Sequence, residues 1–433
     1  METIDELLRL LRPVAGIDAT RLWQWYNLAH DKKKKREIES ILRLLGYTKA
    51  RRDYKEEIRL PPPPVDRLTG EIEIGKVIYP DFPYAKLGLH PSELTKHMLI
   101  VGMTGTGKTN LVMQLLMQFA RERIPFLIFD WKRNYSTLAG KPGFENLKVI
   151  KIADPDSDFT FNPLIAPPGV NPKHWIGLIV DVLKDAFFVA HGPEYWFRKG
   201  LDEIYSSHGV YQGSKTFPTF NDLKRVLGKE YTRGREMLWM SSAKRVLAIL
   251  TFSGVLGGLL NVKNHKGVDD LLGGQAVIEM DRLATIEKVF LSEAILLWIY
   301  HFMKAKGAKA LNELRQVVVL EEAHHILSGN KERTVGEETI IETVIRMIRE
   351  FGVGVVAVDQ EPCKLSHSIL SNTNTKMCMN LGSGKDMRIM AEAMNLTERE
   401  RRYIDKLGVG EGIVKLKNRF VEPVYVRVAK VKD

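Results

Sequence analysis

Cysteine is nearly absent from this 433-residue chain: only Cys363 and Cys378 occur. So sparse a pair argues against a disulfide-stapled fold and fits a reducing compartment. Long apolar runs are missing too. The two longest candidates, 176–189 and 290–303, are broken by Asp181, Lys184 and Asp185 in one and by Glu293 in the other. Both fall short of the roughly 20 residues that a membrane-spanning helix needs. The N-terminus carries Glu2, Asp5 and Glu6 and lacks a basic-then-apolar leader, so a soluble, cytoplasmic protein is expected. Acidic residues are in short supply: 53 Asp and Glu stand against 64 Lys and Arg, a net charge of +11. That excess favours a polyanionic partner, nucleic acid first and a membrane surface second. A lysine-rich solvated surface gives the same balance, so charge alone does not choose.

What the chain does have is one decisive stretch. Residues 102–109 read Gly-Met-Thr-Gly-Thr-Gly-Lys-Thr and fit G-x-x-x-x-G-K-[ST], the loop that cradles phosphates in nucleotide hydrolases. The apolar run Met98–Val101 leads in as a buried strand, and a Leu- and Met-rich helix over 110–121 leads out. Glycines at 102, 105 and 107 let the backbone curl so that successive N–H groups and a helix N-terminus face an anion. The nucleotide-binding set expected here is Gly102, Thr104, Gly105, Thr106, Gly107, Lys108, Thr109 and Asn110. Lys108 reaches the β- and γ-phosphates of ATP, and the Thr109 hydroxyl ligates Mg²⁺. The chain reads as a P-loop ATPase.

Such a loop needs an acidic partner strand, and 316–325, Gln-Val-Val-Val-Leu-Glu-Glu-Ala-His-His, supplies one. Glu321 is placed to hold Mg²⁺ through water, and Glu322 to polarise the attacking water. Neighbouring residues on an extended segment point apart, so two adjacent acids can hold two roles. His324 and His325 lack zinc-type spacing and read as packing or hydrogen-bonding groups. Gln360 follows the apolar strand 353–358 and is expected beside the acidic strand, where it can contact the γ-phosphate or water. Arg346 and Arg349 share one helix face at i and i+3. Either could serve as an arginine finger for a neighbouring subunit, or form a solvated, salt-bridged face.

The expected organisation begins with a small basic helical module over 1–60. It has amphipathic spacing at Ile4, Leu7, Leu8 and Leu11, again at Ile38, Ile41, Leu42 and Leu45, and a lysine run at 32–35. A Pro-rich linker over 61–71 contains Pro61–Pro64. The P-loop part of the core spans 72–166, with strands at 72–78, 126–129 and 147–152. A mainly helical insertion covers 167–270 and carries Trp175, Trp196 and Trp239. The second part of the core spans 271–433, with strands at 276–278, 317–320, 353–358, 376–381, 412–416 and 424–428, and helices at 286–304 and 337–350.

With these strings in view, the chain resembles the HerA/FtsK superfamily of P-loop ATPases, most closely its HerA-like branch. The likeness rests on 97–110 around the P-loop, on Leu-Glu-Glu-Ala-His at 320–324, and on 351–362 ending Asp-Gln-Glu-Pro. The tails 407–414 and 422–427 look like that family's closing strands, and Phe-Asn-Pro-Leu at 161–164 is similar to both HerA-like proteins and type IV secretion ATPases. The resemblance covers about residues 72–430. It implies an α/β fold, a RecA-like P-loop core with the helical insertion and the N-terminal appendage. It also implies a homo-hexameric ring, ATP and Mg²⁺, DNA threaded through the ring, and a nuclease or effector partner. Two departures stand out. Residues 65–96 are too few for the β-barrel that precedes the core in HerA, and Glu321 replaces an Asp. The leading expectation is a ring-forming motor that translocates or unwinds DNA. A secretion or conjugation ATPase and a nucleotide-regulated defence-system scaffold are the alternatives.

Overall fold

A computed structural model describes residues 21–29, 31–50, 58–152, 154, 157–252, 254–307, 309–310, 313–331 and 338–431. The chain divides into two compact units, Met1–Glu57 and Ile58–Asp433. In the first, helix Lys32–Ala50 opens on Asp31, whose side chain accepts a hydrogen bond from Lys33 N at 3.0 Å. The lysine run forms the first turn of this helix, with Lys32, Lys33 and Lys34 exposed. The expected spacing at Ile4–Leu11 lies outside the described residues. The boundary falls before the prolines rather than at them. Ile58 and Leu60 are buried in the second unit's core, so Pro61–Pro64 belong to that unit's surface.

The second unit is built on one eleven-stranded sheet: β1 (Ile72–Ile78), β2 (Pro83–Leu89), β3 (Met98–Val101), β4 (Phe126–Asp130), β5 (Lys148–Lys151), β6 (Gln275–Glu279), β7 (Gln316–Glu321), β8 (Val353–Asp359), β9 (Thr375–Cys378), β10 (Glu411–Leu416) and β11 (Val424–Arg427). Their order is β2-β1-β11-β10-β9-β3-β8-β7-β4-β6-β5. From β9 to β5 every neighbouring pair is parallel. Among them β3, β4, β7 and β8 are nearly continuous apolar runs, buried along their whole length because both faces are covered. The remaining four strands pair antiparallel. Residues 72–89 therefore form a hairpin that extends the main sheet.

Residue alternation splits the core in two. Leu99, Val101, Leu127 and Phe129 pack on one face, and Met98, Ile100, Phe126 and Ile128 on the other. Between β5 and β6 run helices Pro172–Phe187, His191–Ser207, Phe220–Lys229 and Arg235–Phe252 and the short helix Leu256–Leu260. Trp175, buried in the first of these, donates its indole N–H to Pro163 O at 2.9 Å and ties the segment to the Phe161–Leu164 turn. The expected strand 376–381 is shorter than anticipated. At Met379 the chain leaves β9 to wrap the P-loop, with Met379 N on Val101 O and Met103 N on Asn380 O, both at 2.8 Å. Helices Gly384–Met394 and Glu398–Lys406 follow.

Candidate nucleotide site

Parallel pairing aligns the C-terminal ends of β3, β8, β7 and β4, so four loops meet along one sheet edge. Open α/β sheets place their ligands at that edge. Helix Lys108–Arg121 starts there, directly after the P-loop. Gly105 and Gly107 have φ of 82° and 106°, a backbone that side chains disfavour. A Cβ on Gly107 would lie 3.3 Å from Gly410 N, in the loop that donates this N–H to Thr106 O at 2.8 Å. A cavity of about 330 Å³ opens above, lined by Thr104, Gly105, Gly107, Lys108, Thr109 and, opposite them, Lys132, Asn134, Glu321, Glu322, Asp359 and Gln360.

The two neighbouring acids face different partners. Glu321 ends β7 buried, and its carboxylate accepts from Tyr135 Oη at 2.9 Å and from Asn134 Nδ2 and Trp131 N at 3.3 Å. Burial, and then the charge of Asp130, push its pKa up to about 7. Asp130 is raised by burial as well, against the N–H groups of residues 132–135 that it accepts. Glu322 leaves the strand with φ 47° and ψ 47°, a left-handed conformation uncommon outside glycine. That turn sends its carboxylate to Lys132 Nζ and Gln360 Nε2, each at 2.5 Å. Gln360 Oε1 in turn accepts from Thr104 Oγ1 at 2.5 Å, closing a bridge from the P-loop to the acid. Lys108 Nζ donates to Gly102 O and to Met103 O at 3.0 Å; burial lowers its pKa, and Glu322 opposes the shift.

Asp359, fully buried at the end of β8, organises the edge. Its Oδ2 accepts from His324 N at 2.6 Å and contacts His324 Nδ1 at 2.9 Å, and its Oδ1 accepts from Gln360 N and Glu361 N. Its carbonyl accepts from Gly102 N at 3.2 Å. Burial works to lower the His324 pKa, but the Asp359 carboxylate outweighs it and the net direction is upward. His325 stacks on Trp131 with ring centroids 4.9 Å apart.

Sequence reasoning missed Lys132, Asn134, Tyr135 and Asp359. The usable signal was Asp130, a charged residue ending an apolar strand and opening a polar loop. Five expected residues do not line this cavity. The Asn110 amide is held by the C-terminal segment, through Ala429 O at 2.9 Å and Val431 N at 2.8 Å. Arg346 and Arg349 are exposed at the N-terminal side of β8, whose seven residues span about 20 Å. Arg346 pairs with Glu338 at 2.9 Å. Neither arginine reaches this chain's own cavity. Thr106 is buried and turns its hydroxyl to Met103 O, while a Cβ at Gly102 would lie 2.7 Å from that hydroxyl. Both shape the loop.

The glycine cradle, Lys108 and the facing acids fit a nucleoside polyphosphate. Among the described residues no cluster of three or more His, Cys, Asp or Glu could hold a metal alone. A Mg²⁺ that takes most of its ligands from phosphate and water would suit this arrangement.

Comparison with known proteins gives the same direction. A family profile described as Helicase HerA, central domain, matches residues 72–184, and one described as Helicase HerA-like C-terminal matches 261–433. The DNA double-strand break repair helicase HerA of Sulfolobus acidocaldarius is 25% identical over 384 residues, covering 83% of this chain and 70% of that protein. The probable HerA of Methanocaldococcus jannaschii is 22% identical over 364 residues, covering 74% and 69%. Among solved structures, VirB4 of Thermoanaerobacter pseudethanolicus aligns with a TM-score of 0.65 at 14% identity, covering 84% of this chain and 97% of that one. The plasmid coupling protein TrwB in complex with ADP and Mg²⁺ aligns with a TM-score of 0.56 at 14% identity, covering 87% and 94%.

Proposed function

Because the chain belongs to the HerA-like branch of the HerA/FtsK P-loop ATPases, we propose that it is an ATP-hydrolysing motor that moves along or unwinds DNA. The observation that carries this reading is the bridge Thr104–Gln360–Glu322 across a cavity floored by Lys108. It links the phosphate loop, the general base and the end of β8, the parts a motor must couple. The P-loop N–H groups and Lys108 hold the phosphates, and Thr109 and Glu321 hold Mg²⁺. When bound, the Mg²⁺–ATP pair supplies the electrophilic γ-phosphorus and a cation that offsets its charge. Glu322 takes the proton of the attacking water, and Gln360 orients Glu322 and senses the loop through Thr104.

No arginine lines the cavity among the described residues, and Lys132, its other cation beside Lys108, is held by Glu322; a further positive charge is therefore assigned to a neighbouring subunit, with Arg346 and Arg349 as donors. This points to a homo-hexameric ring. Mixing a Lys108→Ala chain with an Arg346→Ala/Arg349→Ala chain should restore part of the activity, because some interfaces then pair an intact loop with intact arginines. If no mixture recovers activity after subunit exchange is verified, donation in trans is wrong.

DNA as the substrate is supported by the relatives' names and by the +11 charge. DNA should stimulate ATP turnover, and ~6 phosphate contacts would lose roughly 10³-fold in affinity between 50 and 200 mM salt. Deleting residues 1–57, which spares the buried Ile58 and Leu60, should flatten that slope and leave basal turnover intact if Lys32–Lys35 contact the strand. Absence of stimulation by single- or double-stranded DNA at low salt moves the reading to a secretion motor or scaffold, with a nuclease or effector partner as its output.

A further inference from the structure

A second cavity, about 550 Å³, is larger than the nucleotide pocket and lies over β9 and β10, against helices His367–Asn372 and Gly384–Met394. Its floor holds Lys376 and Lys415, only 3% and 6% exposed, and Lys417 stands exposed beside them. Strand alternation puts Lys376 on the sheet face of Cys378, and Lys415 on that of Ile413, positions that belong to the apolar core. Lys376 and Lys415 are moreover direct cross-strand partners. Like charges set opposite each other destabilise a sheet. Lysines that merely cover apolar surface keep their ammonium groups in water, which residues so deeply buried do not.

The surroundings compensate this charge only in part. Lys376 Nζ donates to Thr373 O at 2.6 Å and Lys415 Nζ to Val421 O, so each ammonium retains further donors. Among the described residues one carboxylate, the exposed Glu392, lines the cavity, and Glu422 acts on Lys415 from outside it. Burial, followed by the charges of Lys417 and Lys415, brings the Lys376 pKa down to about 8. His367 and Ser371, 3.3 Å apart, add polar groups to the wall.

We propose that this cavity binds a phosphate-bearing anion, whose terminal phosphate sits among the ammonium groups of Lys376, Lys415 and Lys417. Charge-assisted hydrogen bonds to a phosphate would use the remaining donors and relieve the repulsion between the strands. Lysines buried at the floor of a cavity suit a terminal phosphate better than one held within a continuous duplex backbone. Free nucleoside phosphates and the 5′-phosphate of a nucleic acid strand share this chemistry. The site is separate from the nucleotide pocket and does not rest on the motor reading.

The test is calorimetric titration of inorganic pyrophosphate into the full chain carrying Lys108→Ala, which disables the P-loop. One binding event is expected. Adding Lys417→Ala, an exposed change that leaves the fold alone, should weaken it at least about tenfold. Lys376→Met should do the same, and the Lys417→Ala result stands if that buried variant fails to fold. Lys417→Ala in the otherwise native chain should leave basal ATP turnover unchanged. No pyrophosphate binding, or binding indifferent to Lys417→Ala, overturns the proposal. Competition identifies the source: displacement by ADP marks a free nucleotide, and displacement by a 5′-phosphorylated oligonucleotide marks a strand end. Equal displacement by a 5′-hydroxyl oligonucleotide overturns the terminal-phosphate assignment.

Discussion

Two charged sites on this chain are held in opposite ways. Around the P-loop, Glu322 is shared by Lys132 and Gln360 at the mouth of a cavity, and Gln360 also reaches Thr104. Nine residues beyond the acidic pair, Lys331 meets Glu293 at 2.5 Å with side chains 1% and 0% exposed. Among the described residues Oε2 of Glu293 has no hydrogen-bond partner. Burial pushes Glu293 up to about 7, with Lys331 opposing. The first site offers each group several partners and room to exchange them. The second is a sealed link that pins the segment after β7 to helix Thr285–Lys306. Charges that change partners do the work of the site, and charges that cannot fix where the loop returns.

The sharpest way to test that contrast is to remove charges from the open site. Lys108→Ala and Glu322→Gln should each lower ATP turnover by at least about 10³-fold, roughly 4 kcal/mol of transition-state stabilisation. Neither change touches the apolar core, so thermal unfolding should shift little. Glu322→Gln should still bind nucleotide, measurable with a fluorescent analogue, and Lys108→Ala should not. If Glu321→Gln loses hydrolysis while Glu322→Gln keeps the native rate, the two acids have exchanged roles.

Much of the open site could be read from single strings, because β3, β7 and β8 are unbroken apolar runs whose last residues carry the chemistry. Glu321, Glu322 and Gln360 each stand at such an end. What could not be read is adjacency across the sheet. The loop 131–135 reaches Glu321 only because Phe129 on β4 pairs in register with Leu320 on β7. Lys376 and Lys415 lie 39 positions apart and become partners only through antiparallel pairing of β9 and β10. Strand β2 stayed hidden because its first half is largely exposed and starts with Pro83, so its residues show little apolar alternation. Helix Glu398–Lys406 was legible but overlooked: Thr397 and Glu400 form a capping box. Its mean apolar content is low, and periodicity alone misses such a helix.

The sealed pair should respond in stability and not in turnover chemistry. Glu293→Gln leaves Lys331 charged and buried, at a cost of about 3–5 kcal/mol by denaturant titration. Replacing both, as Glu293→Leu with Lys331→Met, should recover most of that loss. A pH signature separates this from a simple packing change. The folded-state pKa of Glu293 is raised above its unfolded value of about 4.5, so the folded chain holds the proton more tightly. Its contribution therefore declines as pH rises from about 4.5 to about 7 and is flat above. The double variant should lose that slope. Persistence of the slope would assign it to another buried acid, such as Asp185.

The smallest expected effect concerns Asn110, which the sequence places with the nucleotide and the structure places against the C-terminal segment. Its amide makes two hydrogen bonds to that segment, Nδ2 to Ala429 O and Oδ1 from Val431 N, just beyond the strand β11 that closes the sheet. Each such bond contributes about 0.5–1.5 kcal/mol, so Asn110→Ala should cost about 1–2 kcal/mol. In a unit of this size that lowers Tm by only a few degrees. Local effects should exceed the global one, because the bonds hold a terminal segment that can open alone. Hydrogen exchange at Val431 and nearby amides should therefore quicken well before the core is affected, while KM for ATP stays within about twofold. A KM that rises tenfold with unchanged exchange would return Asn110 to the nucleotide pocket and shrink the distinction between residues that meet the ligand and residues that hold the edge in place.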